Sequence, residues 1–161
     1  MLRAAMLMIM LSGCAAISHP TAPPPPRLSA KTPDEFGRQM IAALATQNAD
    51  EAMQLFISRD EFAKLIQDGN YERQRARTTA AMQRVAPQVE GAKFVAVYMQ
   101  TVDPQLLHSG DTPNVKVAIP AYRETRIWTS AAGKLYQLEV GDLLQIDGAW
   151  RFIGEPTLSA R

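Results

Sequence analysis

The chain has 161 residues, 47% of them hydrophobic, with a formal charge of +1, 11 prolines and a single cysteine. A mature chain of about 150 residues buries roughly two thirds of the surface its unfolded form exposes, so it needs no disulfide scaffold, and one cysteine staples nothing internally. Near-balanced charge excludes the electrostatic footprint of a nucleic-acid binder.

Met1 to Gly13 carry one cation, Arg3, ahead of an apolar run of eight residues from Ala4 to Leu11. A spanning helix needs about 20 apolar residues, so this run behind a basic start predicts a secretory signal over residues 1–13. Leu11-Ser12-Gly13-Cys14 matches, at every position, the lipobox at the signal cleavage site of bacterial lipoproteins, and the amino terminus resembles theirs. The resemblance implies cleavage before Cys14, a thioether from its thiol to diacylglycerol, and acylation of the freed amine, for instance with palmitate. One acyl chain binds membranes only marginally, whereas two or more anchor stably. Ala15 and Ala16 stand where an aspartate would retain a Gram-negative lipoprotein at the inner membrane. The resemblance therefore implies the inner leaflet of the outer membrane, facing the periplasm; in a Gram-positive cell it implies the outer face of the plasma membrane. The bland alternative makes Cys14 a small residue near an ordinary cleavage site.

Ile17 to Lys31 read ISHPTAPPPPRLSAK, five of them proline. Proline fixes φ and removes a donor, so the stretch predicts extended polyproline II and a reach of about 45 Å. Residues 14–31 are read as lipidated cysteine and tether, with Pro23 to Pro26 as a ligand for a proline-recognising groove the alternative.

A folded domain is expected over residues 32–156. Thr32-Pro33-Asp34-Glu35 is a capping box with proline at N1, followed by an apolar stripe of Phe36, Met40, Ile41 and Leu44. Asn48-Ala49-Asp50-Glu51 and Ser58-Arg59-Asp60-Glu61 open two short helices, and Gly69 suits a helix end. The acidic residues crowd helix N-termini, where the dipole favours them, so they read as capping groups. A longer helix should run from Tyr71 to Ala86, stopped by Pro87, with Tyr71, Thr78, Met82 and Val85 on one stripe and Arg73, Arg77 and Arg84 on another face. That arginine face could meet phosphates or acidic headgroups. From Lys31 to Ala92, however, eight basic residues face nine acidic ones, which argues for a solvated surface. Arg75 falls within the apolar stripe, where it must snorkel or find a carboxylate.

The second half predicts antiparallel strands. Phe94 to Val102 is β-branched and aromatic, residues 103–114 read as a loop, and alternation resumes from Val115 to Trp128, with Pro120 marking an edge or bulge. Ser130-Ala131-Ala132-Gly133 is a turn, and Tyr136 to Ile146 pairs with Trp150 to Ile153 around Asp147-Gly148. A three-residue loop, Asp147 to Ala149, keeps Ile146 opposite Trp150 and Leu144 opposite Phe152 on one apolar face, and is the expected register. Residues 157–161 are read as a tail. His108 has no histidine or cysteine partner in the domain, so neither a metal nor a cofactor is expected.

That register places Asp142 on the apolar face, directly after Gly141. Three readings stay open: a pocket carboxylate acting as acid or base, a β-bulge at Gly141 that re-aims it to solvent, or a buried ion pair between Arg75 and Asp142.

Helices followed by antiparallel strands and a last Asp-Gly-Ala-Trp hairpin give an α+β fold, N-terminal helices packed on one face of a curved antiparallel sheet of about four strands. The arrangement resembles the nuclear-transport-factor-two-like or cystatin-like fold, whose members include isomerases, dehydratases, binding modules and assembly domains. No catalytic motif of those families maps onto this chain, and G-x-S-x-G, P-loop, G-x-G-x-x-G and H-E-x-x-H are absent from the sequence. The leading expectation is a non-catalytic binding or protein-interaction module of the cell envelope. Its partner would be an envelope protein or a small apolar ligand in the sheet's concavity. A small isomerase or dehydratase with Asp142 as base is the alternative.

Overall fold

The computed structural model describes residues 26–111 and 114–161. Cys14, the residues read as a signal and most of those read as a tether lie outside the described residues. Among the described residues no helix is long and apolar enough to cross a membrane.

Local chemistry starts each helix. Thr32 accepts from the Glu35 backbone at 3.1 Å and opens α1 (Pro33–Ala45), whose Phe36, Met40, Ile41 and Leu44 are buried as the spacing requires. Asn48 caps α2 (Ala49–Ala52), and a full capping box between Ser58 and Glu61 opens α3 (Arg59–Leu65). Asn70 caps α4 (Tyr71–Val85), which buries Thr78, Ala81, Met82 and Val85. Gly69 is not the helix end expected of it. Ile66 closes α3, and a Cβ on Gly69 would sit 2.5 Å from the Phe62 ring, so it is smallness that the position requires.

Six antiparallel segments build one curved, unclosed sheet: β1 (Lys93–Tyr98), β2 (Gln105–Leu107), β3 (Ile119–Ala131), β4 (Lys134–Ile146), β5 (Ala149–Ile153) and β6 (Thr157–Ala160). β1 and β2 both pair with β3, and β5 and β6 both pair with β4, so the sheet is four strands across, as expected of this α+β fold. Two readings change. The loop over 103–114 contains β2, and the supposed tail over 157–161 is β6, which continues β5 along the same edge of β4 after the Gly154–Pro156 link.

The tether also ends earlier than its composition suggests. Arg27 and Leu28 make hydrogen bonds into the domain, and Ala30 bridges to Trp150, its carbonyl accepting the Trp150 N–H at 2.8 Å. Phe56 forms a second bridge to Phe152, and the Ile57 N–H donates to the Phe152 carbonyl. Together these segments cover the outer edge of β5, which would otherwise present unpaired backbone groups.

The core lies between α1 and the sheet. The Phe152 ring stands edge-on to both Phe36 and Phe56, with centroids 6.0 and 5.3 Å apart. α1 approaches β1 closely at Gly37, where an added Cβ would fall 2.5 Å from Val97 and 2.6 Å from Phe94. Overpacking costs about 1–3 kcal/mol, while replacing glycine inside a helix gains about 1 kcal/mol. Gly37→Ala should therefore lower stability by roughly 1 kcal/mol, read from the urea midpoint; a rise in midpoint would show that the two side chains swing aside.

Candidate functional site

The last hairpin does not have the expected three-residue loop. Ile146 pairs with Ala149, Gln145 with Trp150, and Leu143 with Phe152, around a two-residue turn of Asp147 and Gly148. Both turn residues have positive φ, 49° and 76°, which is the geometry that suits a tight hairpin and the Asp-Gly sequence. The expected register assumed one unbroken alternation along β4. Gly141 breaks it.

Gly141 sits at φ 83°, and a Cβ there would lie 2.8 Å from the Ile153 carbonyl oxygen. Gly154 faces it, its own added Cβ falling 2.7 Å from the Val140 carbonyl oxygen. Two glycines let the backbones meet where β5 gives way to β6. Opposite Gly141 the β3 register shifts between Tyr122 and Arg126, with Glu124 also at positive φ, 49°. After this irregularity Leu143 and Leu144 are both buried, so inward and outward no longer alternate.

Asp142 follows directly, its side chain 14% exposed. One carboxylate oxygen accepts the Glu124 backbone N–H at 3.1 Å, and the other lies 3.3 Å from Nε of Arg123. Burial raises its pKa; the Glu124 N–H and the Arg123 cation oppose that, and the Glu124 charge adds to it. The bulge and the pocket readings thus meet: Gly141 re-aims Asp142, but into the wall of a cleft. There the carboxylate ties down the irregular turn of β3.

The Arg75–Asp142 pair does not form. Asp142 pairs with Arg123, and Arg75 is exposed on α4. At 3.6 residues per turn, the stripe through Tyr71 and Thr78 is continued inward by half-buried Gln74, and Arg75 is turned out. Arg75→Ala should change stability by less than about 0.5 kcal/mol and add to any effect of Asp142 substitution, because the two share no contact. Asp142→Asn keeps an acceptor for Glu124 and removes a charge that burial disfavours, so its stability should stay within about 1 kcal/mol of the parent. Because the folded pKa is raised, the parent gains stability relative to Asp142→Asn as pH falls through that pKa toward 3.8, a trend that urea titrations at several pH values would read.

The cleft has a volume of about 440 Å³ and runs between the α3–α4 corner and the β4–β5 junction. Phe62, Ile66 and Ile153 give it apolar walls, and Arg73, Gln74, Arg77, Asn114 and Asp142 supply polar ones. Arg77 is held by Glu155 at 2.7 Å, and Asn114 donates to Asp68 at 3.1 Å. The Thr78 hydroxyl donates to the Gly154 carbonyl at 2.7 Å and fixes α4 against the strand beside the cleft. The concavity of the sheet offers no comparable space, since Phe36, Met40, Phe56 and Phe152 fill it. Among the described residues no group of three or more His, Cys, Asp or Glu is placed to hold a metal ion.

No family model, no curated protein and no solved structure matches this chain.

A second polar cluster, which the sequence did not reveal, joins the tether to the domain. Arg151, on β5 with a side chain 8% exposed, reaches Glu61 at 3.4 Å and donates to the Leu28 carbonyl at 2.8 Å. Arg27 reaches the other Glu61 oxygen at 3.0 Å and donates to the carbonyls of Gln54 and Phe56. Burial alone would raise the Glu61 pKa, but the Ser58 backbone and hydroxyl and the Arg27 cation outweigh it and hold the carboxyl at about 2. Glu61 was legible only as a capping residue. It caps α3 and pairs with two arginines at once.

Proposed function

We propose that this protein is a lipid-anchored envelope module, tethered through Cys14 to the inner leaflet of the outer membrane, that works by binding another envelope protein in the α3–α4 cleft. In a Gram-positive cell the same anchor would hold it on the outer face of the plasma membrane. The observation that carries the binding reading is the occupancy of the sheet's concavity by Phe36, Phe56 and Phe152. A small apolar ligand has no cavity there, whereas the cleft is open, walled by apolar and polar side chains together, and wide enough for a few side chains of a partner. Arg73 supports it as well, since it lines the cleft and makes no ion pair with any described residue.

The alternative is a small isomerase or dehydratase with Asp142 as base, the activity that likeness to the nuclear-transport-factor-two-like fold would allow. Its support is the raised pKa of Asp142 in a cleft wall. Against it stands the engagement of both carboxylate oxygens, by Glu124 and Arg123.

A photo-crosslinking residue at Gln74, inside the cleft, and another at Ala96, on β1, would be compared in native envelopes. A discrete protein adduct at position 74 that disappears with Arg73→Glu, and is absent at position 96, is the expected result. Identical adducts at both positions, or only a small molecule bound at position 74 by mass spectrometry, would overturn the reading. Loss of lipid from Cys14→Ala, read by metabolic labelling with palmitate, tests the anchor separately.

A further inference from the structure

The near-equality of basic and acidic residues over 31–92 is a sum over different surfaces. In the fold the acids are spent at the starts of α1 to α3, where Glu35 accepts from the Lys31 backbone, Glu51 from Asn48, and Glu61 from Ser58 and two arginines. α4 keeps its cations outward. Arg73, Arg75, Arg77 and Arg84 are all exposed, against one acid, Glu72, which is itself paired with Arg59. Helical spacing puts Arg73, Arg77 and Arg84 on one flank and Arg75 on the other, with Glu72, Ala76, Thr79, Ala80 and Gln83 on the ridge between them. The ridge's one charge, Glu72, is taken up by Arg59, so the arginines of both flanks dominate the charge of that face.

The place where the tether enters the domain bears on what that surface is. Arg27 and Arg75 line the same recess of about 210 Å³, together with Tyr71, so the chain leaves the domain beside the first half of α4. Arg27 is thirteen positions after Cys14, and at about 3.1 Å per residue that keeps the domain within roughly 40 Å of an anchor at that cysteine. The helix richest in exposed arginine therefore stands beside the point where the chain toward Cys14 leaves the domain, and that length of chain allows it to reach the headgroups. Anionic headgroups attract such cations at short range and in a salt-dependent way.

We propose that the outward face of α4 docks on anionic phospholipid headgroups of the bilayer that holds the anchor. The docking rests on the reading of Cys14 as lipidated. It turns a loosely leashed domain into one with a fixed orientation, Arg75 and Arg84 meeting phosphates from the two flanks while Arg73 stays with the cleft.

The mature lipidated protein carrying Ala80→Cys is labelled with an environment-sensitive fluorophore; Cys14, if lipidated, offers no competing thiol. It is reconstituted in vesicles of phosphatidylethanolamine and phosphatidylcholine, with or without phosphatidylglycerol. The expected result is a blue shift and quenching by headgroup quenchers only with phosphatidylglycerol, reversed by high salt. The shift should be lost in Arg75→Glu/Arg84→Glu, retained when the same two become lysine, and absent from a label at Ala96→Cys. No shift at position 80 in protein that floats with the vesicles, or an equal shift at position 96, overturns docking and leaves the anchor intact. Failure of the wild-type chain to float on phosphatidylglycerol-free vesicles any better than Cys14→Ala overturns the anchor, and docking with it.

Discussion

Glu61→Gln should lower the stability of the fold by about 3–5 kcal/mol, the usual cost of leaving a buried charge without its partner. The exposed half of the cluster tolerates the loss, because Arg27 keeps two backbone carbonyls and some solvent. Arg151 does not. Its guanidinium, already pulled down in pKa by burial and by the Arg27 charge, is held up by Glu61 alone among carboxylates. Equilibrium urea unfolding measures the loss, and Glu61→Gln/Arg151→Met should recover part of it, since an apolar side chain in place of the arginine removes the stranded charge. Equal stability of Glu61→Gln and the parent would mean that the cluster contributes nothing.

The same carboxylate sets the acid limb. Its pKa falls from 4.5 to about 2 on folding. A depressed folded pKa gives a contribution that is complete above the unfolded value and is lost as pH drops through the folded one, here roughly 3 kcal/mol disappearing between pH 4.5 and about 2. Asp142 has the opposite sign and acts above 3.8, so mild acidification should relieve one carboxylate before it undermines the other. In Glu61→Gln the limb below pH 4.5 should flatten.

Gly141→Ala should cost about 3 kcal/mol, from two additive sources. A non-glycine residue in the left-handed region costs roughly 1–2 kcal/mol, and forcing a Cβ against packed atoms costs about 1–3 kcal/mol. The obstacle is the Ile153 carbonyl oxygen at 2.8 Å, a backbone atom with no rotamer of its own to change. The damage should reach the cleft as well, because Asp142, Ile153 and Gly154 all line it at that junction. A shifted Glu124 amide resonance, together with the lowered urea midpoint, would report it. A variant as stable as the parent would place the bulge elsewhere.

Legibility in the sequence followed the range of the interaction. Thr32, Asn48, Ser58 and Pro33 announced helix starts correctly because a cap acts on residues two or three positions away. The α+β class and a sheet four strands across followed from the order of patterns. Register at the last hairpin did not, since alternation identifies a face only where one face is wet, and Leu143 and Leu144 are both buried. Arg75 was misplaced by one residue of helical phase, the difference between Gln74 and Arg75 turning inward. Residues 157–160 look like a polar tail because β6 is an edge strand whose side chains pack little. Arg151 and Arg27 converge on Glu61 from positions 90 and 34 residues away, a separation that no local pattern reports.

The seam where residues 27–30 lie against β5 has a mechanical meaning if the chain ahead of it is a tether. Any drag on the tether arrives first at Arg27, whose bonds to Gln54, Phe56 and Glu61 resist it together, and only then at the Ala30–Trp150 bridge. Force is thus shared between the second helix's exit, the start of α3 and the last hairpin, instead of peeling one strand from its edge.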